Sequence, residues 1–102
     1  MSDVLKGEVA LVTGASRGIG AAIAAELAAL GATVIGTATT EAGAAAIGER
    51  LAGQGGAGRK LDVASGDEVE AVLEEIGKTF GPISILVNNA GITRDNLLMR
   101  MK

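Results

Sequence analysis

At 102 residues the chain has the length of one domain and room for a modest core. Hydrophobic residues make up 48% and charged residues 21%, which excludes a disordered polar tail and leads us to expect apolar surface that meets a partner. A net charge of −3 without any Lys/Arg run speaks against nucleic acid and anionic membranes as ligands.

The absence of Cys removes disulfides, thiolate metal sites and a Cys nucleophile, and the absence of His removes the commonest general base and metal ligand. The most apolar run, AAIAAELAAL at 21–30, is broken by Glu26 and is too short to cross a bilayer. The N-terminal MSDVLKGEVALVTG has early acids and no apolar signal core, so a cytoplasmic protein is expected.

In chain order, EVALVTG (8–14) is a continuous apolar run ending in Gly, as in a strand buried on both faces. A helix follows from Ile19, with Ile23, Leu27 and Leu30 lining one side and Gly31 at its stop. ATVIGTAT (32–39) predicts a second strand, and Thr40 caps a helix carrying Ala44, Ile47 and Leu51 that ends at Gly53. RKLDV (59–63) is a weaker third strand, and Ser65 with Glu68 fits a capping box before Val69, Val72, Leu73 and Ile76. FGP (80–82) breaks the chain, and ISILVNN (83–89) is the fourth strand. Strands alternating with helices imply βαβ units with parallel pairing and right-handed crossovers. The predicted fold is α/β: half of a doubly wound Rossmann fold, four parallel strands in the order 3-2-1-4 with helices on both faces, in a single domain over 1–102.

The strongest local signal is TGASRGIG, Thr13 to Gly20, between the first strand and the first helix. Its glycines are spaced G-x-x-x-G-x-G, a variant of the dinucleotide fingerprint. Gly14 allows a sharp turn out of the strand, Gly18 lets backbone approach a pyrophosphate, and Gly20 lets the helix lie close to the sheet. N–H groups at the helix start then face the phosphates.

Arg17, taken alone, reads as a solvated surface cation. The second strand alters that reading, because GTATT (36–40) carries no acid to bind ribose hydroxyls before Glu41. Thr37 leaves room and a hydroxyl for a 2′-phosphate and Arg17 supplies charge, so NADP(H) is expected over NAD(H). Asp62 with Val63 closes the third strand and borders an adenine site, or else Asp62 flanks the following helix. NNAG, Asn88 to Gly91, is either a plain turn or part of the ligand crevice at the switch point of the sheet.

TGASRGIG followed by NNAG resembles the short-chain dehydrogenase/reductase family. VALVTGASRGIG, VIGTAT and VNNAGITRDNLLMRMK resemble in particular its NADPH-dependent 3-oxoacyl-acyl-carrier-protein reductases of bacterial fatty-acid synthesis. The resemblance runs from about Leu5 to Lys102, somewhat less than half of a typical member. It implies that Gly14, Ser16, Arg17, Gly18, Ile19 and Gly20 form the phosphate loop and that Thr37 lies by the 2′-phosphate. Asp62 and Val63 then lie by the adenine, Asn88, Ala90 and Gly91 on the ribose side, and Thr13 with Asn88 pins the first and fourth strands.

The family's catalytic Ser and Tyr-x-x-x-Lys have no counterpart here, and the chain contains no Tyr to protonate a developing alkoxide. NNAGITRDNLLMRMK therefore reads as the exit from the fourth strand toward a helix that is not present, and the chain as the first half of a reductase. The expectation is an NADP(H)-binding module without catalysis, dimeric through its exposed fourth strand or helix faces. The alternatives are activity only with a complementary C-terminal half, or a self-associating fold fragment without cofactor affinity.

Overall fold

Seven principal elements and one short 3₁₀ turn make up the computed structural model, which describes residues 4–16, 18–62 and 64–88. They are β1 (Val9–Val12), α1 (Gly18–Ala29), β2 (Thr33–Ala38), α2 (Glu41–Leu51), β3 (Ala57–Lys60), α3 (Gly66–Thr79) and β4 (Ile85–Val87), with the 3₁₀ turn at Ala52–Gln54. All strand pairs are parallel and the order is β3-β2-β1-β4, as the alternation predicts. Val12 stands opposite Gly36 on one side and Val87 on the other, so the C-terminal ends of β1 and β4 are level while β2 runs two residues further, to Ala38.

The β1 run is continuous in apolar residues because both faces are covered, and all four of its residues are buried. Ala10, Val12, Val34 and Ala38 pack with Ala24 and Ala28 of α1 and with Ile47 and Leu51 of α2. On the opposite face Val9, Leu11 and Ile35 pack with Ile76 of α3. Complete burial of side chains the size of Leu11 and Ile35 is worth about 1.5–3 kcal/mol each in transfer terms.

Three differences from the sequence reading have physical causes. In α1 the buried stripe is Gly20, Ala24 and Ala28, while Ile23 and Leu27 are only half-buried at its edge. Small residues at a spacing of four let this helix lie close to the sheet, and the larger ones flank the contact.

The third strand occupies Ala57–Lys60 rather than 59–63, so Asp62 lies beyond it. Glycine is a poor strand former by propensity, yet a Cβ at Gly58 would collide with the Ala44 carbonyl of α2. Close packing of helix on strand selects the glycine there. The fourth strand is Ile85–Val87, which leaves Ile83, Ser84 and Asn88 of the expected 83–89 outside it, Asn89 lying beyond the described residues, and Ser84 extends its pairing by other means. The Val9 N–H donates to Ser84 Oγ at 3.1 Å, and the Ser84 N–H donates to the Val9 carbonyl at 2.9 Å.

Helix α3 is fastened to the far edge of the sheet by Arg59 of β3. Its guanidinium forks onto Glu75 with Nε–Oε1 and Nη2–Oε2 distances of 2.8 Å each and lies 5.9 Å from the centre of the Phe80 ring. The hydrogen bonds from Arg59 hold the Glu75 carboxyl below its ordinary range, and the same bonds raise Arg59 above its own. No helix among the described residues is long and apolar enough to cross a membrane.

Candidate functional site

The candidate site lies at the C-terminal ends of β1 and β4, where the chain leaves β1 toward one face of the sheet and reaches β4 from the other. Thr13 ends β1 with no exposure, and its N–H donates to the Val87 carbonyl at 3.0 Å. Its hydroxyl donates to Asn88 Oδ1 at 3.3 Å, so Thr13 and Asn88 pin the two strand ends together. That contact commits the oxygen of the Asn88 amide. The nitrogen, Nδ2, is buried without a hydrogen-bond partner among the described residues. A buried donor left unsatisfied costs about 1–3 kcal/mol, a penalty that an acceptor on a bound molecule would remove.

From Thr13 the backbone turns at Gly14 (φ +64°) and again at Gly18 (φ +67°), conformations in which an L side chain is strained. Between them the Ala15 N–H donates to the Thr37 carbonyl at 2.8 Å, which draws the loop over β2. A Cβ at Gly36 would stand 2.9 Å from Ala15 Cβ and 2.8 Å from Ile47 Cγ2, so this close approach requires glycine. Arg50, in the last turn of α2, reaches the same loop: its Nη2 donates to the carbonyls of Ala15 at 3.1 Å and Ser16 at 3.0 Å. At Gly18 the Cβ direction is open space, and the first turn of α1 carries no acidic residue. Ile19 in that turn is 72% exposed. The loop and helix start can therefore offer backbone N–H groups to an anion without competition from a carboxylate.

The predicted residues are distributed as follows. Gly14, Ser16, Gly18, Ile19 and Gly20 sit together in the loop and the start of α1, Gly20 buried against the sheet and Ile19 outward. Asn88 joins them from β4 through Thr13. Thr37 is 1% exposed. Since Gly36 faces α2, strand alternation directs Thr37 toward the α3 face, and only its carbonyl engages the loop. Asp62 is exposed in the turn before α3, where its Oδ1 accepts from the Ala64 N–H at 3.0 Å. Arg17, Val63, Ala90 and Gly91 lie outside the described residues.

Sequence reasoning missed two residues. Thr39 is exposed just past the end of β2, which makes its hydroxyl more accessible than that of Thr37, while the exposed Thr40 caps α2. Arg50 gives no local signal, because its partners lie 34 and 35 residues away along the chain. Among the described residues no group of three or more Asp or Glu could hold a metal ion.

A glycine loop leading from a buried parallel strand into a helix, beside an Asn at the switch point, has its counterpart in a family model. Residues 8–102 match the model of the short-chain dehydrogenases. The chain belongs to the short-chain dehydrogenase family. Within the family it is 64% identical over 98 residues to the 3-oxoacyl-acyl-carrier-protein reductase of Vibrio harveyi, covering 96% of this chain and 40% of that protein. It is 64% identical over 97 residues to the corresponding reductase of Escherichia coli K12, with coverage of 95% and 39%. For the Pseudomonas aeruginosa reductase the identity is 63% over 100 residues. This short-chain dehydrogenase chain thus spans about 40% of the length of the curated relatives it matches.

Proposed function

We propose that the chain is the NADP(H)-binding half of a 3-oxoacyl-acyl-carrier-protein reductase, a dinucleotide-binding module that does not turn over alone. The observation that carries this reading is the pairing of the Gly14–Gly18 loop with the buried, unpartnered Nδ2 of Asn88. The residues present fit the cofactor: backbone N–H groups from Ser16 to Gly20 for the pyrophosphate, and the Asn88 amide for the ribose side. Arg17 supplies charge for the 2′-phosphate. Thr39, exposed at the end of β2, takes the neighbouring hydroxyl role that the buried Thr37 side chain is poorly placed to fill. Asp62 and Val63 border the adenine, and Ala90 and Gly91 continue the ribose side.

When bound, NADPH supplies a hydride for a ketone. The 102 residues contain no Tyr to serve as the proton donor. Reductase activity is therefore expected only together with the remaining part of the relatives' length. Among the described residues β4 is an edge of the four-stranded sheet and its three residues are only half-buried, which supports a homodimer formed through that edge. A monodisperse monomer at micromolar concentration would remove the dimer from the proposal.

The test of the whole reading is an equilibrium titration of the purified chain with NADPH and with NADH, read by calorimetry. Saturable binding that favours NADPH is expected. A folded sample that binds neither would reduce the loop to a tight turn.

A further inference from the structure

Arg50 is an exposed arginine in the last turn of α2, a position where a cation ordinarily serves only the helix dipole. Here its guanidinium leaves the helix and meets the Ala15 and Ser16 carbonyls at 3.1 and 3.0 Å. Beside it lies a cleft of about 140 Å³ between α1 and α2, lined by Arg50 itself and on the α1 side by Ala21, Ala24 and Ala25. These short side chains leave room beside the arginine.

The consequence follows from peptide geometry. In a trans peptide the C=O and N–H point in opposite directions, and the described residues contain no cis bond. Holding the Ala15 carbonyl toward α2 turns the Ser16 N–H, which belongs to the same peptide, away from α2. It also occupies carbonyl oxygens that would repel a phosphate and places a positive charge behind the loop.

We propose that Arg50 is a positioning residue for the phosphate loop, fixing the direction of its N–H groups through the Ala15 and Ser16 carbonyls. This inference rests on the dinucleotide reading above. It also predicts a property of the nucleotide-free chain, so the two can fail separately.

The experiment compares Arg50→Met, Arg50→Gln and Arg50→Lys with the parent chain in three measurements: NADPH affinity, thermal midpoint, and the backbone ¹⁵N order parameter of Ser16 without nucleotide. Loss of the charge-assisted bonds in Arg50→Met should weaken NADPH binding about tenfold. Arg50→Gln should fall in between, and Arg50→Lys, which keeps a charged donor, should stay within about threefold. The midpoint should move by no more than about 4 °C, as for a surface substitution. The Ser16 order parameter should drop in Arg50→Met toward the flexible range below about 0.6.

Equal affinity and an unchanged order parameter in Arg50→Met would overturn the inference. So would a loss of affinity that merely tracks a large fall in midpoint. If the parent chain binds no nucleotide, the dinucleotide reading fails, and the Ser16 order parameter alone decides the role of Arg50.

Discussion

The starts of α1 and α3 differ in how their first turns are finished. At α3 the first turn is closed by its own side chains. Ser65 Oγ accepts from the Glu68 N–H at 3.4 Å, Glu68 Oε1 accepts from the Asp62 N–H at 3.0 Å, and Asp67 and Glu68 place negative charge at the positive end of the helix. At α1 the first turn has no acid, and the glycine that begins it opens to free space. One helix start is closed by side chains of the chain itself, whereas the other, with no acid in its first turn, is the one proposed above to receive an external anion. What separates the structural cap from the proposed binding site is the charge and size of the side chains in the first turn.

The sharpest way to break this contrast is to make α1 resemble α3. Ile19→Glu puts a carboxylate on an exposed position in the first turn of α1. Its charge should weaken NADPH binding on the order of 100-fold. Stability should hold or rise by about 0.5 kcal/mol, because an acid there complements the helix dipole. Calorimetric titration and urea unfolding measure the two effects, and their opposite signs distinguish a blocked site from a damaged fold.

The converse change is Ser65→Ala, which removes the α3 cap. It should cost about 1 kcal/mol in urea unfolding while NADPH affinity stays as in the parent chain.

The smallest effect concerns the ion pair that fastens α3. Arg59 lowers the pKa of Glu75 in the folded chain, so the pair contributes stability above the unfolded carboxyl pKa of about 4.3 and loses it as pH falls through the lower folded value. The Glu75 side chain is 41% exposed, so solvent screening limits the contribution to a few tenths of a kcal/mol. Glu75→Gln should flatten the acid limb of the stability profile below about pH 4.3 by that amount, measured by urea unfolding across pH.

Much of this was legible in the chain because the relevant signals are local. The buried β1 run, the Thr40 and Ser65 caps and the glycine loop each depend on neighbours within a few residues, and the alternation of strands and helices then leaves few topologies. The capping box at Ser65 was legible only in half. Ser65 N–H already donates to the Asp62 carbonyl at 2.9 Å, so the Glu68 carboxylate turns to the Asp62 N–H instead.

What escaped sequence reasoning depends on approach between distant segments. Gly58 is glycine because of the α2 backbone above it, and Arg50 belongs to the loop through hydrogen bonds to carbonyls 34 and 35 residues away. Thr37 and Thr39 differ only in which side of the strand end they occupy, which the run GTATT does not reveal.

The most direct test of the contrast between the two helix starts is a ¹H–¹⁵N NMR titration of the chain with NADPH. Large shifts are predicted at the amides of Gly18 and Ile19 and at the Asn88 side-chain amide, with the amides of residues 66–68 unmoved. Shifts concentrated at the start of α3, or none at Gly18 and Asn88 in a folded sample, would contradict the assignment of the β1–α1 loop as the binding site.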